Sequence, residues 1–307
     1  MSRMTDAAEY IEPLHMNGMD GRMLRAPATG KLQREILLVY GHHAMLERWW
    51  GLVQNLQRYG SVTMPDLPGF GGMDSFYKIG RTLSIDAYAD YLAAFVTMRY
   101  RRRRVTIMGI SFGFVVVTRM LQRYSDLAKK VDLVVSLVGF VHHDDFLYSP
   151  KRRRLYSRAC YVLGTKPLAF VTHHGILNET FIRGFYRSLP AGRTRLLAMD
   201  SFEFKQYMDF EVELWRANDM RTHWRTTSAF LMLDNCTVPV RLPVWHIASA
   251  SDHYFDNTIV EQHMRVVFEE YNQAIMNSNT HTPSILATKK EMAVMLPSAF
   301  RKALSKK

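Results

Sequence analysis

The chain has 307 residues, of which 48% are hydrophobic and 22% charged. This composition is typical of a globular protein with a sizeable core, and the length allows one large domain with an inserted element, or two domains. Apolar runs stay below the roughly 18–20 residues that a membrane span requires. Residues 1–16 carry acidic side chains and no apolar core region, so we expect no secretory signal. The cysteines, Cys160 and Cys236, lack metal or redox spacing, which favours free thiols and a cytoplasmic location.

The net charge of +12 raises the question of nucleic-acid binding, and the excess is spread along the chain apart from two clusters, Arg101–Arg104 and Lys151–Arg154. Runs of this length usually lie on solvated loops or helix ends; the alternative is a docking site for phosphate or anionic lipid. Neither cluster is interleaved with aromatic side chains, as in proteins that bind single strands. The first cluster also precedes a predicted strand, at the opposite end from where open α/β sheets place their sites. We therefore expect no nucleic-acid partner, and the sequence assigns no role to either cluster.

Residues 14–100 alternate short strands with helical segments. Asn17-Gly18 and Asp20-Gly21 are turn signals, so we expect antiparallel β structure from residue 14 to residue 40. The further elements predicted in this region are a buried strand at Glu35–Tyr40, a helical segment that contains Trp49 and Leu56, a strand at Ser61–Asp66 with a glycine-rich loop to Gly72, and a helix from Ser84, its N-cap, to about Tyr100.

The stretch that decides the functional interpretation runs from Val105 to Thr118. It begins as an apolar β-rich run and continues as a segment of helical length, with Gly109, Ser111 and Gly113 between the two. A serine on a sharp strand-to-helix turn requires neighbours without side chains, because a side chain at either flanking position collides with the strand or the helix. This Gly-x-Ser-x-Gly spacing is the pattern of a nucleophile elbow. The alternative is a glycine-rich turn whose serine only caps the helix.

The elements after the elbow complete an α/β pattern with one interruption. They are predicted as a strand at Val131–Gly139, a strand at Val238–Ala248, a helix from Asn257 to about Tyr271, a short apolar run at Ala274–Met276 and a final helix at Lys289–Ala303. Near-continuous apolar strands that alternate with helices are typical of a parallel sheet covered on both faces. In residues 140–235 strand-like runs are scarce, and aromatic side chains at helical spacing dominate. We predict one α/β domain, residues 1–139 and 236–307, with a helical insertion at 140–235.

A serine hydroxyl becomes an effective nucleophile when a base removes its proton, and the base works best when a carboxylate fixes its tautomer. An elbow therefore predicts an acid and a histidine later in the chain, each on a loop after a strand. Asp252 follows the Val244–Ala248 strand, and His281 follows the run Ala274–Met276. We predict Ser111 as the nucleophile, His281 as the base and Asp252 as the acid.

With these residues the chain resembles the α/β-hydrolase superfamily, in both halves apart from the insertion. The matching stretches are Val39-Tyr40-Gly41, similar to the family's His-Gly loop, Asp66-x-Pro-Gly-x-Gly71, similar to its turn after the next strand, and Gly109-x-Ser-x-Gly113, similar to its elbow. The resemblance implies that the insertion is a helical cap. It also disfavours dehalogenases and epoxide hydrolases, whose chemistry needs an aspartate at the elbow.

Two positions depart from the family pattern. Tyr40 stands where the family has a histidine, so we expect different hydrogen bonding in that loop. Phe114 stands where the family prefers a small residue, so we expect looser packing of the elbow helix on the sheet.

Three other carboxylates are alternatives for the acid. Asp256 is the nearest to Asp252 in sequence, and Asp144 or Asp145, which follow the Val131–Gly139 strand, offer a second placement known in such folds. These alternatives stay open at the level of sequence.

The resemblance also implies an oxyanion hole made of two backbone N–H groups, those of Phe112 and of His42, the residue after Gly41. Adjacent histidines at 42–43, 142–143 and 173–174 raise the question of a metal. Neighbours in an extended chain point to opposite faces, however, and no carboxylate–histidine spacing supports chelation. We expect no metal and no cofactor.

The sequence predicts a serine hydrolase that acts on an ester or a related small acyl substrate. The aromatic side chains of the insertion either line an apolar acyl pocket over Ser111 or form the insertion's own core. The same triad serves thioester hydrolysis, acyl transfer, C–C bond hydrolysis and amide or peptide cleavage, and the sequence does not separate these. A non-catalytic binding protein on the same fold is the alternative outside enzymes. The sequence does not predict the oligomeric state.

Overall fold

A computed structural model describes residues 3–176, 179–188, 201–278, 280–285 and 287–306. The strands in this part of the chain are β1 Ile11–Met16, β2 Met19–Ala26, β3 Arg34–Val39, β4 Gly60–Pro65, β5 Val105–Ile110, β6 Val131–Leu137, β7 Val240–Ser249 and β8 Phe268–Met276. They form one sheet in the order β1-β2-β4-β3-β5-β6-β7-β8. β2 pairs antiparallel with β1 and β4, and every other neighbouring pair is parallel.

The helices of the described residues lie between these strands and at both ends of the chain. They are α1 Arg3–Ala8, α2 Trp50–Leu56, α3 Ile85–Arg99, α4 Phe112–Arg123, α5 Ser125–Ala128, α6 Pro150–Leu163, α7 Lys166–Val171, α8 Glu179–Ser188, α9 Ser201–Ala217, α10 Met220–Phe230, α11 Asn257–Val267, α12 Lys289–Met292 and α13 Ser298–Ser305. The hydroxyl of Ser84 accepts a hydrogen bond from the N–H of Ala87 at 3.0 Å, so the predicted N-cap of α3 is confirmed. None of these helices has both the length and the hydropathy needed to cross a membrane.

The burial of the central strands confirms the predicted fold class, a mostly parallel sheet covered by helices on both faces. Every residue of β5 is buried, and the last four residues of β3 and of β6 are buried too. Parallel strands with two buried faces need helices on both sides of the sheet. The expected antiparallel structure holds for the β1–β2 hairpin, where Asn17 and Gly18 both have positive φ. It is wrong for β3, which pairs parallel with β4 and β5.

Two predicted helices near the C-terminal end have different bounds in the structure. The helix expected to reach Tyr271 ends at Val267, and β8 begins at the next residue, because Phe268–Met276 pairs with the open edge of β7. The final helix is broken into α12 and α13. Pro297, which lacks a backbone N–H, stands immediately before α13.

In its described part the chain between β6 and β7 consists mainly of helices, as predicted, with loops at both ends that meet in an isolated bridge between His142 and Asp234. α6 packs against α10, where the hydroxyl of Ser157 donates to the carbonyl of Ser228 at 3.1 Å. Some of the aromatic side chains of this region are its own core: Phe210 is buried with Leu214, and Trp215 packs against a cluster that includes Met208.

A buried polar pair lies in the middle of the sheet. The Nδ1 atom of His246 in β7 lies 2.8 Å from the hydroxyl of Ser136 in β6, and both residues are at most 2% solvent-exposed. Burial lowers the pKa of His246 to about 4, because the charged ring would have to leave water. The ring is therefore neutral in the folded protein at pH values where an unfolded histidine is already protonated.

This pair predicts acid destabilisation between about pH 6.5 and pH 4. In that window the unfolded chain binds a proton at residue 246 that the folded chain does not bind, so the free energy of unfolding falls as the pH falls. Between pH 7 and pH 4 the wild type should lose about 3 kcal/mol more than His246→Asn, whose side chain does not titrate. Urea unfolding at three pH values measures this difference. Parallel pH dependences for the two proteins would contradict it.

Candidate active site

The turn between β5 and α4 holds Ser111 in a conformation that few residues adopt. Its φ is 49° and its ψ is −117°, outside the usual regions for a side chain with a Cβ atom. The flanking glycines explain how this is possible. A Cβ atom on Gly109 would lie 2.4 Å from the Cα of Phe114, and one on Gly113 would lie 2.2 Å from the carbonyl oxygen of Val39. Only glycine fits at either position, so the strained turn is built into the contact between α4 and the sheet.

The hydroxyl of Ser111 does not cap the helix that follows it. α4 begins at Phe112 with no hydrogen bond from the Ser111 side chain to its first turn, although serine is a preferred N-cap residue. Ser111 is only partly buried. A serine kept in a strained turn with its hydroxyl unused for capping is the arrangement that a nucleophile requires.

The loop after β3 lies directly against this serine. A Cβ atom on Gly41 would approach the Cβ of Ser111 to 3.3 Å, a tight contact, so the backbone of this loop packs closely against the serine turn. In the described part of the chain, neither the N–H of His42 nor that of Phe112 donates a hydrogen bond. Both predicted oxyanion donors therefore belong to segments next to Ser111 and are unused.

The predicted acid and base are in contact. Nδ1 of His281 lies 2.6 Å from Oδ2 of Asp252, and their side chains are 12% and 2% exposed. The other carboxylate oxygen of Asp252 accepts hydrogen bonds from the N–H groups of Tyr254 at 2.8 Å and Phe255 at 3.3 Å. The rings of Tyr254 and Phe255 in turn pack edge-on against the imidazole. The same short loop thus holds both partners.

The charge state of Asp252 fixes the proton on the imidazole. Burial by itself raises the pKa of this carboxyl group, but the hydrogen bond and charge of His281 and the two N–H donors outweigh burial and lower it. An ionised carboxylate only accepts hydrogen bonds, so Nδ1 of His281 is the donor. The Nε2 atom of the neutral ring then carries the lone pair that a base needs.

Ser111, Asp252 and His281 follow the carboxyl ends of β5, β7 and β8, and these parallel strands end at one edge of the sheet. Ring contacts run from the serine turn to the histidine through Phe112, Phe230, Phe140, Phe255 and His281. In the part of the chain that the structure describes, no hydrogen bond joins the Ser111 hydroxyl to the His281 ring. Such bonds are often long in a site without substrate and shorten when it binds.

The three alternative carboxylates have other partners. Asp256 caps α11 by accepting from the N–H groups of Thr258 and Ile259. Asp144 pairs with the guanidinium group of Arg153. Asp145 is fully buried, accepts from two backbone N–H groups and lies 2.5 Å from Nδ1 of His263. Of the four candidates for the acid, Asp252 is the one that contacts His281.

Comparison with known proteins identifies the family. The sequence profile described as alpha/beta hydrolase fold matches residues 36–263, which is most of the chain. The chain belongs to the α/β-hydrolase family. No curated protein sequence matches it.

Solved structures share the fold at low sequence identity. An enol-lactonase from Burkholderia xenovorans LB400 is 12% identical, with a TM-score of 0.65 over 96% of this chain and 100% of that one. An esterase from Thermogutta terrifontis is 15% identical, with a TM-score of 0.61 over 96% of each chain. An N-formylmaleamic acid deformylase from Pseudomonas putida S16 is 15% identical, with a TM-score of 0.62 over 88% of this chain and 94% of that one. At these identities the likeness shows the fold alone.

The segment between β6 and β7 contacts the sheet edge that carries Ser111 through residues that sequence reasoning missed. Asn218, at the junction of α9 and α10, accepts from the N–H of Gly71 at 2.9 Å and lies 3.2 Å from Nδ1 of His43. The ring of His42 hydrogen-bonds the carbonyl of His223 in α10 at 3.1 Å. Burial lowers the pKa of His42 to about 4, so this ring is neutral at pH 7. The sequence analysis assigned a role to the backbone of residue 42 and none to its ring.

Tyr40, the first departure from the family pattern, has a defined role. Its hydroxyl donates to Oδ1 of the buried Asp66 at 2.8 Å and accepts from the N–H of Leu67 at 2.9 Å. The other oxygen of Asp66 accepts from Nε of Arg22 at 3.1 Å. The network joins the loops after β3 and β4 to the hairpin strand β2. Arg22 lies 44 residues from Asp66, and no local signal indicated it.

The second departure does not loosen the elbow helix, contrary to our expectation. Phe114 is fully buried, and Gly113 still lies against Val39. Phe114 fits because Gly139 leaves space for it: a Cβ atom at that position would lie 2.6 Å from the Cβ of Phe114.

One group of possible metal ligands occurs among the described residues. Ligand atoms of His142, His143 and Asp144 all lie within 4.8 Å of one another. The argument that adjacent histidines face apart is wrong here, since the two rings are 3.9 Å apart and 30° from parallel. Nδ1 of His142 already accepts a hydrogen bond from the N–H of Asp144 at 3.1 Å. Nδ1 of His143 also donates to the carbonyl of Leu233, and Asp144 is held by Arg153. We assign no metal to this group.

Tyr40→Phe should lower the free energy of unfolding by about 2 kcal/mol, because it removes the hydroxyl partner of Oδ1 of Asp66 and of the N–H of Leu67. Thermal or urea unfolding measures this. The matched control is Tyr59→Phe, whose hydroxyl has no hydrogen bond in the described structure and whose loss should cost less than about 0.5 kcal/mol. Equal effects of the two substitutions would show that the network does not stabilise the loops.

Proposed function

We propose that this protein is a serine hydrolase that cleaves a carboxylic ester or a related acyl substrate. Ser111 is the nucleophile, His281 the general base and Asp252 the acid that orients it. One observation carries the proposal: a largely buried histidine–aspartate pair, 2.6 Å apart, lies at the same sheet edge as a strained serine that caps no helix. Each of the three side chains alone has a structural explanation, but their combination at one edge is what acyl transfer needs.

The reaction begins when the Ser111 hydroxyl attacks the substrate carbonyl and transfers its proton to Nε2 of His281. The imidazolium that forms is stabilised by the ionised Asp252, whose lowered pKa keeps it charged. The carbonyl oxygen becomes an oxyanion, and the unused N–H groups of Phe112 and His42 are placed to bind it. Where little water reaches the site, the hydrogen bonds from these N–H groups to the oxyanion are stronger, because less solvent competes for the negative charge.

The second half of the reaction reverses the roles. His281 gives its proton to the leaving group, the C–O bond breaks, and the acyl group remains as an ester on Ser111. Water then attacks this ester while His281 accepts its proton; His281 returns that proton to Oγ of Ser111 as the acyl–serine bond breaks, and the acid product leaves. No step requires a metal or a cofactor.

We also propose the domain division predicted from sequence: a core of residues 1–139 and 236–307 with a cap at 140–235. Contacts from α10 support it, because this helix reaches both oxyanion segments. Its His223 carbonyl binds the ring of His42, and its Phe230 ring lies 6.1 Å from that of Phe112. The cap then limits the space beside Ser111.

The rings near the serine favour an apolar acyl group. Phe70, Phe112 and Phe230 surround the ring of His42 next to Ser111. A panel of p-nitrophenyl esters of increasing acyl length, with matched thioesters and amides, tests the substrate class. Turnover that rises with acyl length supports an apolar pocket, whereas preference for the thioester or amide would assign the triad to that chemistry.

Ser111→Ala should lower kcat for the best ester by at least about 10³-fold, because the nucleophile is removed and only binding and the oxyanion donors remain. The control is Ser125→Ala, at an exposed serine where α5 begins, which should leave kcat unchanged. Steady-state hydrolysis measures both. Undiminished turnover by the Ser111 variant would refute the assignment.

Asp252→Asn should lower kcat by about 10³–10⁴-fold without unfolding the protein, because an amide no longer fixes the Nδ1–H tautomer of His281. Asp256→Asn is the matched control, since asparagine also caps helices and α11 should stay intact. Rates and unfolding curves of the two variants separate the predictions. A large loss at position 256 with little loss at 252 would reverse the assignment of the acid.

A further inference from the structure

The first two helices of the insertion carry an unusual combination of charge and exposed apolar surface. Between Phe146 and Asn178 the sequence has no Asp or Glu. Its basic side chains are Lys151, Arg152, Arg153, Arg154, Arg158 and Lys166. Large apolar side chains on the same helices are solvent-exposed, although the protein has a well-formed core in which to bury them.

Helical spacing places both kinds of side chain on one stripe of α6. Lys151, Leu155, Arg158 and Val162 follow one another at intervals of four, three and four residues, which is the spacing of a single helix face. Leu155 is 64% exposed and Val162 54%. The buried residues of α6, Arg153, Ser157 and Cys160, lie on the opposite face.

α7, the next helix along the chain, also exposes apolar side chains. Leu168, Phe170 and Val171 are 38%, 63% and 53% exposed, while Ala169 between them is buried. The chain between α6 and α7 is fixed to α10, where Nε of Arg225 donates to the carbonyl of Gly164 at 3.0 Å. The exposed stripe of α6 lies opposite its buried face, while Lys166 and Phe170 of α7 border a cleft that also contains Met220 and Arg221 of α10. We call the exposed surface of these two helices the α6–α7 face.

Most of the cations of the α6–α7 face are available to a partner. Arg153 points inward to Asp144, and Arg152 lies over the rings of Tyr148 and Tyr156. For the other four, Lys151, Arg154, Arg158 and Lys166, the described part of the chain contains no ion pair. An anionic partner would thus meet unneutralised charge.

We propose that the α6–α7 face docks the protein on the surface of an anionic phospholipid bilayer. A helix that lies in the lipid interface exposes apolar side chains to the acyl boundary and basic side chains to the headgroups. Lys151 and Arg158 can lay their aliphatic stems beside Leu155 and Val162 while their charges reach phosphate. Anionic lipid attracts each cation near its surface, and the absence of acidic side chains removes repulsion. Nucleic acid would use the charges and leave the exposed aliphatic side chains without a partner.

Docking does not depend on the proposed chemistry. None of the residues of the α6–α7 face belongs to the triad or to the oxyanion donors, so Ser111→Ala should bind vesicles as the wild type does. A protein that does not bind vesicles could therefore still be a serine hydrolase, and a protein that does not hydrolyse esters could still bind vesicles.

Vesicle co-sedimentation of the full chain with Ser111→Ala, which leaves the lipid uncleaved, tests the proposal. The probes are phosphatidylcholine vesicles and vesicles with about one third phosphatidylglycerol. We expect binding to the anionic vesicles, weaker binding to the neutral ones, and release by salt. Lys151→Gln with Arg158→Gln should weaken binding about 30-fold. Leu155→Ser with Val162→Ser should weaken it about tenfold.

Matched controls come from exposed residues elsewhere in the chain. Arg101→Gln with Arg102→Gln removes two charges from the other basic cluster, and Val266→Ser with Ile275→Ser removes two aliphatic side chains that are 59% and 60% exposed. Both should bind as the parent does. Absence of binding, equal binding to neutral vesicles, or equal losses in the controls would overturn the proposal. So would a dimer that Leu155→Ser with Val162→Ser dissociates, since a second copy would then cover this face.

Discussion

The contact between the first turn of α4 and the end of β3 is the constraint on which the rest of the site depends. Gly113 lies so close to Val39 that an added Cβ atom would be 2.2 Å from its carbonyl oxygen. This approach leaves no room for a relaxed connection from β5, and Ser111 takes a positive φ as a result. Strain of this kind persists only where the surrounding structure fixes it. Here the parallel sheet does so, and the serine lies at the sheet edge with no hydrogen bond from its hydroxyl to the helix.

The other groups of the proposed triad and oxyanion hole are held by interactions of the same local character. The turn after β7 places two N–H donors around Asp252, and the loop after β8 adds the imidazole of His281, so the carboxylate remains ionised despite its burial. Hydrogen bonds hold the loop after β3, among them one from the hydroxyl of Tyr40 to Asp66 and one between the ring of His42 and the carbonyl of His223. Preorganised donors and a preoriented base lower the cost of charge formation in the transition state. The site is therefore a property of the loops at one sheet edge, and the insertion contributes through its contacts with them.

The sequence predicted those features of the site that a short run of neighbouring residues determines. Gly109, Ser111 and Gly113 indicated the elbow because the steric requirement acts over five residues, and the order of strands then indicated Asp252 and His281. Contacts between distant residues had no such local signal. The pairing of Asp145 with His263, which separates it from His281, depends on a loop meeting α11 across 118 residues. The end of α11 was misplaced because Phe268–Met276 keeps apolar residues that suit a helix, and only the free edge of β7 makes this segment a strand.

The most direct test of the account is mass spectrometry after reaction with a fluorophosphonate, which phosphonylates serines that a neighbouring base activates. The account predicts one adduct, on the peptide that contains Ser111, formed rapidly by the wild type and at least about 10²-fold more slowly by His281→Gln, which keeps the serine but removes its base. An unmodified Ser111 peptide in folded wild-type protein, or equal rates in the two proteins, would contradict the claim that this serine is activated by that histidine.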